Sequence, residues 1–175
     1  MLTGLLAVGM LAGCTQQQQD SAEPQGAAGS SVPPTSSAAP ELPPAPEPGE
    51  QADCPYLERS AVAKANGQRV SQVRISAEQP PSCFFYALTG KIQLTVRVYT
   101  GEPAVAEGLV DQAAPIDSSN PAKQPAGWEG GYLATEEGAV YAVAKGGNAV
   151  IVSTNQQQSV KARTVAEEAI TAMGF

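Results

Sequence analysis

The octapeptide IQLTVRVY, residues 92–99, alternates along its whole length. Ile92, Leu94, Val96 and Val98 share one parity, and Gln93, Thr95, Arg97 and Tyr99 share the other. A period of two sends these sets to opposite sides of a strand, so the segment requires a sheet with one covered face. Neighbouring segments supply partners for it. Val70, Val73 and Ile75 mark a strand, and CFFYA at 83–87 is an apolar run short enough for a buried one, with Thr89-Gly90 turning the chain after it. GYLAT (131–135), AVYAVA (139–144) and AVIVST (149–154) follow further on. Glu136-Glu137-Gly138 and Lys145-Gly146-Gly147-Asn148 connect them, both of them hairpin turns by composition.

Three segments carry helical spacing instead. Cys54-Pro55 predicts a helix start, with Leu57, Ala61, Val62 and Ala65 as its apolar side and Asn66-Gly67 as its stop. Pro103 opens the second, which presents Val105, Ala106, Leu109, Val110 and Ala113. The last is predicted to be capped by Asn155 with Gln158 three residues on, to carry Val165, Ala166, Ala169, Ile170 and Met173, and to end at Gly174. The expected fold is α+β: an antiparallel six-stranded sheet with three helices over one face, in the order α-β-β-β-α-β-β-β-α.

Residues 15–53 contrast with this. They hold eight prolines, no aromatic residue, and only Val32 and Leu42 as large aliphatic side chains. So little apolar surface does not offset the entropy of ordering a chain, which makes 14–53 an expected disordered spacer and 54–175 a single folded domain. As a flexible coil the spacer spans about 35 Å. Its six acids and no base account for most of the net charge of −7, leaving the domain nearly neutral. Neither part offers the basic surface that nucleic-acid binding needs.

Leu2 to Ala12 is an apolar run too short to cross a bilayer, which takes about 20 residues, but suited to a signal-peptide core. Leu11-Ala12-Gly13-Cys14 after it resembles the lipobox of bacterial lipoproteins at all four positions, with polar Thr15-Gln16 following. The resemblance implies removal of residues 1–13, lipidation of Cys14, and a protein held by its lipid on the extracytoplasmic face of the cell membrane. No Lys or Arg precedes the apolar run, so the true start is expected upstream of Met1. Export places Cys54 and Cys83 in an oxidising compartment, where they are expected to pair. Closing that loop of about 30 residues contributes roughly 3.5 kcal/mol in the chain-entropy model.

Catalytic chemistry finds little footing. Histidine is absent, which removes the usual general base, the common nucleophile-histidine arrangements and most zinc sites. TGKIQLT (89–95) lacks the spacing and hydroxyl of a phosphate loop. Glu136-Glu137 reads as a solvated turn, and Ser60 and Lys64 stand four apart rather than three. No catalytic residue, cofactor or metal is expected; the less favoured reading is a histidine-free hydrolase. The strongest binding candidate is the stretch AAPIDSSNPAKQPAGWEGG (113–131), three prolines without periodicity, with Pro121, Pro125, Trp128 and Tyr132 as candidate contacts. Two roles stand open for Trp128: an anchor at an interface, or a plug in the core.

CPYL (54–57), CFFY (83–86), AAPIDSSNPA (113–122), GWEGG (127–131) and VYAVAKGGNAVIVSTNQQQSVKA (140–162) together resemble a family of uncharacterised actinobacterial lipoproteins of the DUF2020 type. The resemblance implies a sandwich similar to the Mog1/PsbP fold and carries over no catalytic residues. The expectation is a non-catalytic, membrane-anchored envelope protein whose partner is an envelope protein or a glycolipid. The alternative is a lipid or glycolipid carrier with an apolar pocket.

Overall fold

Seven strands and three helices follow one another in the computed structural model, which describes residues 39–124 and 127–175. Residues 1–13 and Cys14 lie outside the described residues. The first helix, α1, runs from Arg59 to Asn66 and stops at Gly67, whose φ of 72° is the left-handed cap that glycine adopts without strain. It begins later than Pro55, because residues 54–58 are held as a turn. There Cys54 is tied to Cys83 and the Tyr56 hydroxyl donates to the Pro81 carbonyl at 2.8 Å. Burial pushes that phenol far above its usual range.

Strands β1 (Val70–Ile75), β2 (Cys83–Ala87) and β3 (Ile92–Thr100) form an antiparallel meander. Helix α2 (Pro103–Ala113) carries the chain away to the far edge, where β4 (Asn120–Gln124) is followed by β5 (Trp128–Ala134), β6 (Ala139–Lys145) and β7 (Asn148–Thr154). Strand β7 returns to pair with β3 from Leu94↔Thr154 to Thr100↔Asn148, so the two meanders become one sheet of order β1-β2-β3-β7-β6-β5-β4. Helix α3 (Ser159–Met173) closes the chain.

The sheet therefore has seven strands, not the six expected, and β4 is the addition. Its sequence NPAKQ has no β-branched or aromatic residue, and Pro121 within it argues against a central strand. An edge strand tolerates both features, and the ladder to β5 supplies the hydrogen bonds that its side chains do not advertise.

The helices also divide between two faces instead of sharing one. On the first, α1 and α3 cover Val73, Phe85, Leu94, Val96, Trp128, Tyr141, Val143, Val150 and Val152. On the second, Ala106, Leu109 and Val110 of α2 pack on Ala142, Ala144, Ala149 and Ile151. Residues of β6 and β7 thus alternate between two cores, which is why AVYAVA and AVIV are apolar at both parities.

One parity expectation reverses. Between Phe85↔Leu94 and Tyr86↔Ile92 the register skips a residue, so Gln93 is a bulge. The extra residue turns Ile92 outward, 41% exposed, and buries Gln93 to 1%. The buried amide is met: Asn66 Nδ2 donates to Gln93 Oε1 at 2.9 Å, and Gln93 Nε2 donates to the Arg69 carbonyl at 3.0 Å. The Thr154 hydroxyl donates to Asn66 Oδ1, and Lys161 Nζ donates to the Asn66 carbonyl at 3.0 Å, placing a cation at the C-terminal end of α1. The expected cap of α3 by Asn155 does not form. Asn155 exchanges amide hydrogen bonds with Gln68, and α3 starts at Ser159 after Gln158.

Residues 39–53, assigned to the spacer by composition, lie on the second face as an extended strap. Leu42 packs into the α2 cluster, over Gly108, where a Cβ would stand 2.7 Å from Leu42 Cδ2. Arg97 Nη2 donates to the carbonyls of Pro43 (3.1 Å) and Pro44 (2.8 Å), and Arg74 Nε donates to that of Gly49 at 2.8 Å. Further along, the strap exchanges backbone hydrogen bonds with β1: Gly49 N to the Ile75 carbonyl, and Ile75 N to that of Glu50. Of the polar set in the opening octapeptide, Arg97 is thus a strap-binding residue. A proline-rich chain has little conformational freedom to lose, which lowers the cost of holding it here.

Candidate functional site

The stretch expected to be one long binding loop is mostly built structure. After α2, Ile116 N donates to Asp111 Oδ1 at 3.1 Å, Ser118 N and Ser119 N both donate to the Pro115 carbonyl, and the Ser119 hydroxyl donates to the Ala114 carbonyl at 3.1 Å. The chain then enters β4 and leaves it through the hairpin to β5. Trp128 is the second strand's first residue, 2% exposed, with its ring 6.0 Å from that of Phe175. It plugs the core on the α3 side. Gly130 and Gly131 allow a close approach, but by the chain itself: a Cβ at Gly130 would collide with the Ala142 carbonyl and stand 2.9 Å from Val110 Cγ1, and one at Gly131 would stand 3.0 Å from Ala114 Cβ. Glycine here is what lets α2 settle on β5.

Edge strand β4 separates two clefts. The larger, about 660 Å³, lies between the end of α2, the 114–119 turn and the β4–β5 hairpin. Val110, Ala114, Ile116 and Pro121 line it, Ile116 being 84% exposed. Its rim is charged, with Glu107, Asp111 and Glu129 set against Lys123 and Lys145. The smaller, about 390 Å³, lies on the other side between β4, the β5–β6 pair and the start of α3. Lys123, Tyr132, Tyr141, Ser159 and Arg163 line it. Arg163 Nε donates to Glu167 Oε1 at 2.8 Å, a contact that holds the guanidinium in its charged form.

Of the residues expected from sequence, Pro121 lines both clefts and Tyr132 the smaller, whereas Trp128 lines neither. Pro125 lies outside the described residues. Cys54 and Cys83 are joined, with Cα atoms 5.7 Å apart, and both are buried. Glu137 sits in the β5–β6 turn, where its N–H meets the Thr135 hydroxyl. Among the described residues no cluster of three or more Cys, Asp or Glu side chains is placed to hold a metal. Ile116, Ser159 and Arg163 also border the clefts, and no sequence motif marks them. Arg163 belongs to a helix that sequence reveals only through its apolar stripe, and nothing local indicates that its polar side borders β4.

A family model described as a domain of unknown function, DUF2020, matches residues 37–175. The chain belongs to the DUF2020 family. The span of DUF2020 takes in the strap as well as the helices and sheet, so the family domain and the folded unit share residues that composition alone assigns to a linker. No protein among the curated ones matches the sequence.

Proposed function

We propose that this DUF2020 protein is a lipid-anchored envelope protein of actinobacterial type, whose α+β domain binds an envelope partner without transforming it. The lipobox at 11–14, the acidic spacer and the Cys54–Cys83 bond support export and anchoring. The absence of histidine, the turn setting of Glu136-Glu137 and the four-residue spacing of Ser60 and Lys64 support a non-catalytic role. The layered arrangement, helices on both faces of one antiparallel sheet, is in keeping with the Mog1/PsbP-like sandwich implied by the sequence resemblance.

The observation that carries the binding role is the larger cleft, whose volume of about 660 Å³ lies within the usual range for ligand sites and whose wall exposes Ile116. An exposed apolar side chain within a charged rim is the composition of a protein-recognition surface. A lipid carrier draws less support, because five charged side chains line this cleft and the interior between sheet and α3 is filled by Trp128, Phe85 and Leu94. Photo-crosslinking in cells from position 116 tests the reading. It is expected to capture a distinct envelope protein, with capture reduced at least tenfold by Asp111→Lys. Recovery of nothing but residues of the same domain would sink it.

A further inference from the structure

The strap crosses a part of the sheet that no helix covers. Helix α2 packs on β5, β6 and β7, whereas the strap lies over β3 and reaches β1. Phe84 stands in the middle of that area. It alternates with Cys83 and Phe85 of the α3-side core, so it points to the strap side, where its cross-strand partners are Arg74 and Thr95. It is nevertheless only 4% exposed and belongs to neither core cluster. The strap accepts from Arg97 of β3 at Pro43 and Pro44, and from Arg74 of β1 at Gly49. Residues 45–48 therefore pass over β2 between these two points, above Phe84.

The pattern of the strap matches this floor. Its prolines favour the polyproline conformation, a helix of three residues per turn without internal hydrogen bonds, so positions 43, 46 and 49 share one side. Pro43 and Pro46 are half-buried while Pro44, Ala45 and Glu47 are exposed, and a Cβ at Gly49 would stand 2.8 Å from the Ile75 carbonyl. Leu42 adds an aliphatic anchor at Gly108. Prolines over an aromatic side chain, with donors aimed at their carbonyls, are how proline-rich segments are recognised between proteins. Glu41, Glu47 and Glu50 form no ion pair among the described residues, so the charges of the segment are not what holds it. The attachment is also uneven. Gly49 and Glu50 exchange backbone hydrogen bonds with Ile75, but among the described residues 42–46 accept only from Arg97. The strap is therefore free to peel from its N-terminal end about Gly49 and Glu50.

We propose that the outer face of β1–β3 is a recognition groove for proline-rich segments, filled in cis by residues 42–49, and that a partner protein presenting an extended Leu-Pro-Pro-x-Pro segment takes their place. The groove is separate from the α2-side cleft and does not depend on the role proposed for that one. A tethered strap acts at an effective concentration on the order of millimolar, so the groove is best measured with the strap weakened.

The test uses the full chain carrying Cys14→Ser, with a strap weakened by Leu42→Ala, Pro43→Gly and Pro46→Gly. It is titrated with a synthetic peptide of residues 40–50 while amide chemical shifts are followed. The peptide should shift Arg74, Phe84, Thr95, Arg97 and Gly108 saturably, at least tenfold more tightly than in the chain with its native strap. Leu42→Ala alone should fall between the two. Adding Arg97→Gln should weaken binding at least tenfold, whereas Ile116→Ser should leave it unchanged. Val165 and Ala166 on the far face should keep their shifts throughout, which reports the fold. No saturable shift, or equal binding of a scrambled peptide of the same composition, would overturn the groove. Equal affinity for the native and weakened straps would overturn occupancy in cis. A weakened chain that no longer folds would overturn exchange, because the domain would then need its own strap. Sedimentation of the native chain as a dimer that strap weakening dissolves would overturn the partner in favour of a second copy.

Discussion

The α3 face and the α2 face cover the same sheet with different materials. Under α1 and α3 lie Trp128, Phe85, Tyr141 and a row of valines, so the layer is filled by large side chains of the sheet against the small Ala162, Ala166 and Ala169 of α3. Under α2 the sheet offers Ala142, Ala144 and Ala149, and Gly130 and Gly131 bring the helix end closer still. On β3 that second face is covered by a strap of main chain rather than by a helix. One face is held by volume and the other by close approach, so a residue enlarged or truncated should cost different amounts on the two.

Trp128→Ala should show the largest effect. It empties a site against Phe175 that small neighbours cannot close, and about 3–5 kcal/mol is expected, read as a lower midpoint in urea. A loss under 1 kcal/mol would mean that the α3 face is not held by volume. Joint replacement of Cys54 and Cys83 by serine should cost roughly 3.5 kcal/mol on the same face, and a midpoint unchanged by the replacement would contradict a stabilising role for the bond.

Enlargement should act chiefly on the other face. Gly130→Ala forces a methyl against the Ala142 carbonyl and Val110, for an expected loss of about 1–3 kcal/mol; a neutral result would show that β5 can shift away from β6 at Ala142 as well as from α2. Gly108→Ala is subtler. Alanine favours the helix by about 1 kcal/mol over glycine, but its methyl would press on Leu42 of the strap. The two effects should nearly cancel in the native background and separate when Leu42→Ala is added, where Gly108→Ala should stabilise by about 0.5–1 kcal/mol. Strict additivity of the pair would show that the strap does not rest on α2.

The smallest effect expected is one of pH. The Ser76 hydrogen bond, more than the charge of Arg97, holds the Glu78 carboxyl below the ordinary glutamate range. Its contribution is therefore present above the unfolded value of about 4.3 and is lost as pH falls through the lower, folded value. Glu78→Gln should flatten the acid side of the stability profile slightly. Because the group is almost fully exposed, a steep change would indicate a contact that the structure does not contain.

Much of this architecture is legible residue by residue. Strands β1, β2, β3, β6 and β7, the turn glycines and the stop of α1 at Gly67 follow from local pattern. Two signals were present but easy to misread. AVYAVA and AVIV are apolar at both parities, which points to cover on both faces. Gln93 looks like one more outward polar residue, and only the bulge opposite β2 turns it inward to Asn66. In the candidate site, Pro121 borders both clefts, whereas Gly130 and Gly131 admit the chain's own close packing and the tryptophan beside them belongs to the core.

The sequence by itself determined the pairing of Cys54 with Cys83, the antiparallel hairpins and three amphipathic helices, because each depends on residues close together in the chain or on the only two cysteines in its domain half. Tertiary structure alone decided the rest. Strand β4 exists through backbone pairing with β5, which depends on main-chain groups rather than on the identity of its side chains. The strap stays in place because Arg97 and Arg74, far along the chain, donate hydrogen bonds to its carbonyls. Both clefts are spaces between elements, formed only after the sheet has carried β4 beside α2 and α3. Contacts of that kind leave no local periodicity, since their energy comes from what the fold brings together.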